Sequence, residues 1–139
     1  MFWINLAKKF LAAYAAQDID TLESLVSEDT VAVGDWFLQR SIGFTGTVEE
    51  NSNVWVGGHA FLDFLKENFN KFEKIEVRLK KTAYNNKTVF IEFESSHFVK
   101  NESFSNISYG KTIRDFGVFK FELELNKVRR LSVFTSKSR

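Results

Sequence analysis

The chain has 139 residues, a net charge of +1 and no cysteine. That length is one domain, 1–139; near-cancelling charge gives little long-range attraction for nucleic acid or an anionic membrane, and without cysteine there is no disulfide framework, thiolate nucleophile or Cys-based metal site. Two biases stand out: there is no proline, so turns rely on Gly, Asn, Asp and Ser, and there are sixteen phenylalanines, which bring large apolar area without a hydrogen-bonding group.

Along the chain, Met1 to Lys9 lacks the basic, apolar and small-residue succession of a secretory leader. No apolar run approaches the roughly 20 residues that span a bilayer, so the expectation is a soluble, cytoplasmic protein. Leu6, Phe10 and Tyr14 recur every four residues, with Ala7 and Leu11 beside them, which predicts a one-sided helix over Leu6 to Ala16. A second short helix is signalled by Asp20 as N-cap and Glu23 three residues on, burying Leu22, Leu25 and Val26. Thr30 to Trp36 reads as a strand with Val31, Val33 and Asp35 on one face. Phe37 to Gly58 holds four glycines and Glu49-Glu50-Asn51-Ser52-Asn53. It reads as a long functional or mobile connection, a flap over one end of the sheet, although Phe37, Phe44 and Trp55 are more apolar than a solvated loop needs.

A third helix is predicted over about His59 to Asn70, with His59 at its cap. Phe61, Leu65 and Phe69 form its stripe, and Leu62, Phe64 and Phe72 widen it. Only strands follow: Lys74 to Tyr84 and Lys87 to Val99 around an Asn85-Asn86 turn, Tyr109 to Leu125 with a bulge near Gly117, a turn at Asn126, and Lys127 to Thr135. Helices followed by strands make an α+β domain, with helices packed on one face of a curved, mostly antiparallel sheet. Such a sheet can leave an apolar cavity between itself and the helices.

Phe10 to Leu25 followed by Glu28-Asp29-Thr30-Val31, Gly58 to Leu65, and Lys127 to Phe134, taken in that order, resemble the NTF2-like superfamily, which includes SnoaL-like polyketide cyclases and ketosteroid isomerases. The first segment carries the acidic turn between helices, the second the start of the third helix and the third the closing strand. The resemblance covers all but Phe37 to Gly57. It implies a cone of three helices on a curved sheet (the cystatin-like fold), a pocket at the wide end and frequent homodimers through the sheet. It does not fix an activity. The isomerase pattern departs at each catalytic position. Phe10 stands at the tyrosine donor, Gly34 at the base with Asp35 one residue away, and Gly117 or Val118 at the second acid. Ketosteroid isomerisation is not expected.

Candidate chemistry comes from the strands. Val89, Ile91, Phe93, Ser95, His97 and Val99 share one face of their strand, so His97 points inward. There it is either an acid or base near neutral pH or a hydrogen-bonded histidine at the sheet rim. Asp115 shares a face with Ile113 and, if that face is inward, could orient His97, or it could pair with Arg114 on the surface. Asp35, among Val33, Trp36 and Phe37, is a candidate base or a strand-end turn former. Tyr14 could present its hydroxyl to the cavity or sit in the core. Phe10, Trp36, Trp55, Phe93 and Phe119 are the expected ligand-binding side chains. Two distant histidines give no metal-ligand spacing, no glycine-rich nucleotide loop or serine elbow is present, and no cofactor is implied.

The expected function is binding of a small hydrophobic molecule, with cofactor-free acid–base chemistry by His97, Asp115, Asp35 and Tyr14 if the protein is an enzyme. The alternative is a non-catalytic dimeric interaction module in which outward Phe90 and Phe116 join two sheets. No nucleic-acid or membrane partner is expected.

Overall fold

A computed structural model describes residues 2–34, 54–100 and 112–136. Among them are three helices, α1 (Phe2–Ala15), α2 (Ile19–Leu25) and α3 (Gly58–Phe69). The strands are β1 (Val31–Gly34), β2 (Val54–Val56), β3 (Phe72–Asn85), β4 (Thr88–Val99), β5 (Thr112–Glu124) and β6 (Lys127–Ser136). They form one sheet in the order β2-β1-β6-β5-β4-β3. Only the β1–β6 pair is parallel; the other neighbours run antiparallel. The helices pack on this mostly antiparallel sheet, as an α+β domain requires.

The stripe of α1 buries Leu6, Phe10 and Tyr14, with Ala7, Leu11 and Ala13 beside it. The helix ends in a Schellman motif. Gln17 takes the left-handed conformation at φ 56°, its N–H reaches the Tyr14 carbonyl at 3.0 Å, and the Asp18 N–H reaches that of Ala13 at 2.9 Å. The same Gln17 side chain donates to the carbonyls of Phe69 (3.5 Å) and Phe72 (3.4 Å). It thereby ties the end of α1 to the end of α3 and the start of β3.

Several expectations are corrected. The N-cap of α2 is Asp18, not Asp20. Its carboxylate accepts from the Thr21 backbone N–H at 3.2 Å and the Thr21 hydroxyl at 2.6 Å. A side-chain hydroxyl at the third helical position strengthens this cap, and Asp20 falls in the first turn. The N-cap of α3 is Gly57, and His59 lies on the exposed first turn near Asp63 at 3.6 Å. Phe72 belongs to β3, not to the helix. On β1, Val31 and Val33 share one partly covered face as expected, and Ala32 on the other face is buried. Part of the supposed flap is strand: Val54–Val56 pairs with β1 as the sheet's edge. The rest of that segment lies outside the described residues.

The β3–β4 turn comes where Asn85 and Asn86 predict it, with Asn86 at φ 59°. The register of β5 stays regular through Gly117, and its irregularity falls at Glu122–Leu123. Gly117 has another reason to be glycine: a Cβ there would collide with the Phe134 carbonyl of β6. Arg129 and Arg130 of the basic last strand reach Glu124 and Glu122 of β5 at 2.7 and 3.9 Å.

Candidate active site

Strict alternation along β4 buries Val89, Ile91, Phe93, Ser95, His97 and Val99 on the helix-facing side. On β5 the same face carries Ile113, Asp115, Phe119, Phe121 and Leu123. Register puts Ser95 directly opposite Asp115, and His97 opposite Ile113. His97 and Asp115 are therefore diagonal neighbours, at about 7–8 Å in an antiparallel pair. Both point inward, and Arg114 takes the exposed side.

The helix supplies the third group. The Tyr14 hydroxyl lies 2.8 Å from His97 Nε2, and both side chains are buried. Aromatic rings enclose the pair: Phe69 packs on Tyr14 at 5.5 Å between centroids and Phe72 on His97 at 5.0 Å. Burial pushes the His97 imidazole down to a pKa of about 3, so at neutral pH it is an uncharged ring. Burial, and then the Asp115 carboxylate, push the Tyr14 phenol well above its ordinary value, so it keeps its proton. A phenol that donates to Nε2 leaves the ring's own proton on Nδ1. Tyr14 and His97 thus form a neutral hydrogen-bonding unit beside a carboxylate. An imidazole with so low a pKa is a weak base.

Of the remaining candidates, Phe10, Phe93 and Phe119 lie inside the core. Phe93 packs on Phe119 at 4.2 Å, Phe119 on Phe121 at 6.0 Å, and Phe10 between Phe121 (5.6 Å) and Phe61 (6.5 Å). These rings pack on one another within the core. Trp55 packs from β2 onto Phe64 of α3 at 4.4 Å. Asp35 and Trp36 lie outside the described residues. Sequence reasoning did not single out Ser95, which is 4% exposed. Its signal was available in the strand alternation that placed His97, since Ser95 precedes it by two positions on the same face. Among the described residues no cluster of three or more potential ligands could hold a metal ion. No described helix is long and apolar enough to cross a membrane.

A family model described as a SnoaL-like domain matches residues 7–123. Among solved structures, a protein of Shewanella putrefaciens named as a SnoaL-like polyketide cyclase is similar, with TM-score 0.75 and 16% identity over 97% of this chain and 90% of that one. A counterpart from Shewanella denitrificans gives 0.76 and 14% over 97% and 90%. An LEH-like epoxide hydrolase of M. tuberculosis gives 0.72 and 14% over 96% and 82%. Identities this low report a shared fold. No curated protein matches the chain.

Proposed function

The chain belongs to the SnoaL-like domain family, an NTF2-like fold, and from that premise we propose that it binds a small, largely apolar molecule between helices and sheet and performs cofactor-free acid–base chemistry on it. The observation that carries this reading is the buried Tyr14–His97 pair at 2.8 Å beside Asp115. A core built on phenylalanine gains little stability from three polar side chains in its middle, because buried polar groups recover at best what their desolvation costs. Perturbed titratable groups gathered on one inward face are the mark of a reactive site. Asp115 acts as the base. Tyr14 and His97 stay neutral and hold polar atoms of the ligand without adding charge. Similar structures named for polyketide cyclisation and epoxide hydrolysis support the class, since both reactions turn on proton transfer to or from apolar substrates.

The test is a thermal-shift screen of the purified protein against hydroxyanthraquinones, steroids, terpenoid epoxides and fatty acids. A ligand at about a hundred times its dissociation constant adds roughly 2.7 kcal/mol of stability, a plain rise in melting temperature. The expected result is a hit in one oxygenated, apolar class that weakens in Tyr14→Phe. A flat response across the panel overturns the reading.

A second reading rests on Phe90, Phe116 and Phe134. All three are exposed on the outward side of β4, β5 and β6. An apolar sheet face of this kind suits a homodimer. Sedimentation equilibrium of the wild type and of Phe116→Glu decides it: a dimer that dissociates in the variant supports the interface, and a monomeric wild type removes it.

A further inference from the structure

Apart from the sheet's outer face, exposed apolar side chains gather at the end of the molecule away from the Tyr14–His97 pair. Register sets Thr88 across from Glu122, and the Leu123 N–H reaches the Lys87 carbonyl at 2.9 Å, so the β3–β4 and β5–β6 turns lie side by side. The start of α1 joins them. The Lys87 ammonium lies 5.9 Å from the centre of the Trp3 ring, and Phe2 packs edge-on against Trp3 at 4.8 Å. From this end stand out Phe2 and Tyr84, each about half exposed, and Leu125, 77% exposed at the tip of its turn. The φ of 56° at Leu125 is a conformation that leucine takes at a cost, and burial returns nothing for it. A strained apolar side chain held out at a tip points to a use outside the fold.

We propose that this end docks on a membrane surface containing anionic phospholipid, with Phe2, Tyr84 and Leu125 entering the boundary between headgroups and acyl chains. The three side chains stand on a helix start, a strand end and a turn, with Asn86 and Lys87 among them. A folded partner would need a separate pocket for each, whereas a bilayer boundary admits each one independently. Aromatic rings with lysines beside them are suited to that boundary. Charge complements the surface. Arg129 and Arg130 are balanced by Glu124 and Glu122, while Lys87 and Lys127 form no ion pair among the described residues; Lys127 donates to the Ser24 carbonyl at 2.8 Å. The two unbalanced cations face the headgroups. The net charge of +1 argued against a membrane partner, but net charge governs long-range attraction, and docking by inserted side chains is a matter of contact. It requires no spanning helix. Docked this way, the molecule turns its Tyr14–His97 end toward water.

The test is cosedimentation of the full chain with sucrose-loaded vesicles of phosphatidylcholine, with and without about one quarter phosphatidylserine. The expected result is binding that is stronger with phosphatidylserine and falls about tenfold or more in Leu125→Asn, since one inserted leucine supplies at least that much. Phe2→Ser added to Leu125→Asn removes the remainder. Phe116→Ser, on the sheet's outer face, binds as the wild type does. Leu125→Asn keeps or raises its melting temperature, which separates docking from folding. Absence of wild-type binding to both kinds of vesicle overturns the proposal. So does binding that Leu125→Asn leaves intact, or that Phe116→Ser alone abolishes, which would put the contact on the sheet. Self-association that is lost in Leu125→Asn, with no vesicle binding, would make a second copy of the chain the occupant and overturn the membrane. A melting temperature several degrees lower in Leu125→Asn would assign the leucine to the fold and likewise overturn it.

Discussion

The Tyr14 hydroxyl and His97 Nε2 are 2.8 Å apart although 83 positions separate them in the chain. The bond joins α1 to β4 through the middle of an aromatic layer. Substituting Tyr14 by Phe keeps the ring packed on Phe69 and removes the hydroxyl that bonds Nε2. The expected loss is about 1–3 kcal/mol, the usual cost when a buried polar atom forfeits a bond. Urea unfolding reads it directly from a lower midpoint at unchanged slope. An unchanged midpoint would mean that the pair contributes nothing to the fold.

His97 makes stability depend on pH in a defined direction. Burial lowers its folded-state pKa from 6.5 to about 3, so between those values the unfolded chain holds a proton that the native protein lacks. Unfolding takes up that proton. Stability is fully present above pH 6.5 and is lost as the pH falls toward 3, by an amount on the order of 5 kcal/mol across the window. A His97→Gln variant has no such group. Between pH 6.5 and 4 its stability should fall less steeply than the wild type's by close to one proton's worth of slope. Parallel curves for the two proteins contradict the buried neutral imidazole.

The inward direction of His97 was legible because alternation is a property of a single strand, and Val89, Ile91 and Phe93 declare which side is buried. Tyr14 was legible for the same reason, as the third member of a four-residue stripe with Leu6 and Phe10. Their meeting was not, since register between distant elements leaves no trace in either one alone. Ser95 escaped notice because serine reads as neutral in a strand, and only the register with β5 sets it across from Asp115. Asp18 directly precedes α2 and Asp20 lies in its first turn; the cap falls to Asp18 because its carboxylate reaches Thr21, three residues on, while its N–H closes the end of α1 on the Ala13 carbonyl. Gly117 suggested a bulge because glycine in a strand marks either a bulge or a close approach; the backbone of Phe134 makes it the second.

Asp115 raises the Tyr14 pKa, but less than burial does. Asp115→Asn should therefore move the Tyr14 titration down without returning it to its ordinary value of 10.0. A phenol whose folded pKa is raised contributes stability that is present below pH 10 and lost as the pH rises above it. The variant should retain more of its stability than the wild type through that alkaline range, relative to neutral pH. Ultraviolet absorbance of tyrosinate, recorded with unfolding curves, measures both effects. An unaltered Tyr14 titration in Asp115→Asn would separate the two groups electrically.

Gly34 ends β1 at φ +132°, where a Cβ would meet the Val133 backbone of β6. Gly34→Ala is expected to lose roughly 1–3 kcal/mol through strain that its neighbours cannot relieve, because the atoms in the way are main chain. It also disturbs the parallel β1–β6 pair. Thermal unfolding compares it with Ala32→Gly in the same strand, which also weakens β1 but introduces no collision. An equal or smaller loss for Gly34→Ala would argue that β1 can shift away from β6.

The β5–β6 turn places Leu125 at φ 56° with its side chain 77% exposed. Leucine has no reason to be there. It buries little, and its branched side chain is poorly suited to the left-handed region, where asparagine and glycine are comfortable. The turn is nonetheless short, because Glu124 pairs with Lys127 and only Leu125 and Asn126 remain to reverse the chain. Replacing Leu125 by Asn relieves the conformation without lengthening the turn or uncovering the core. The expected gain is up to ~1 kcal/mol. For a domain of this size that is a rise of a few degrees in melting temperature, with the Tyr14–His97 pair and the ligand response unaffected. A fall in melting temperature would mean that the leucine covers apolar surface in solution.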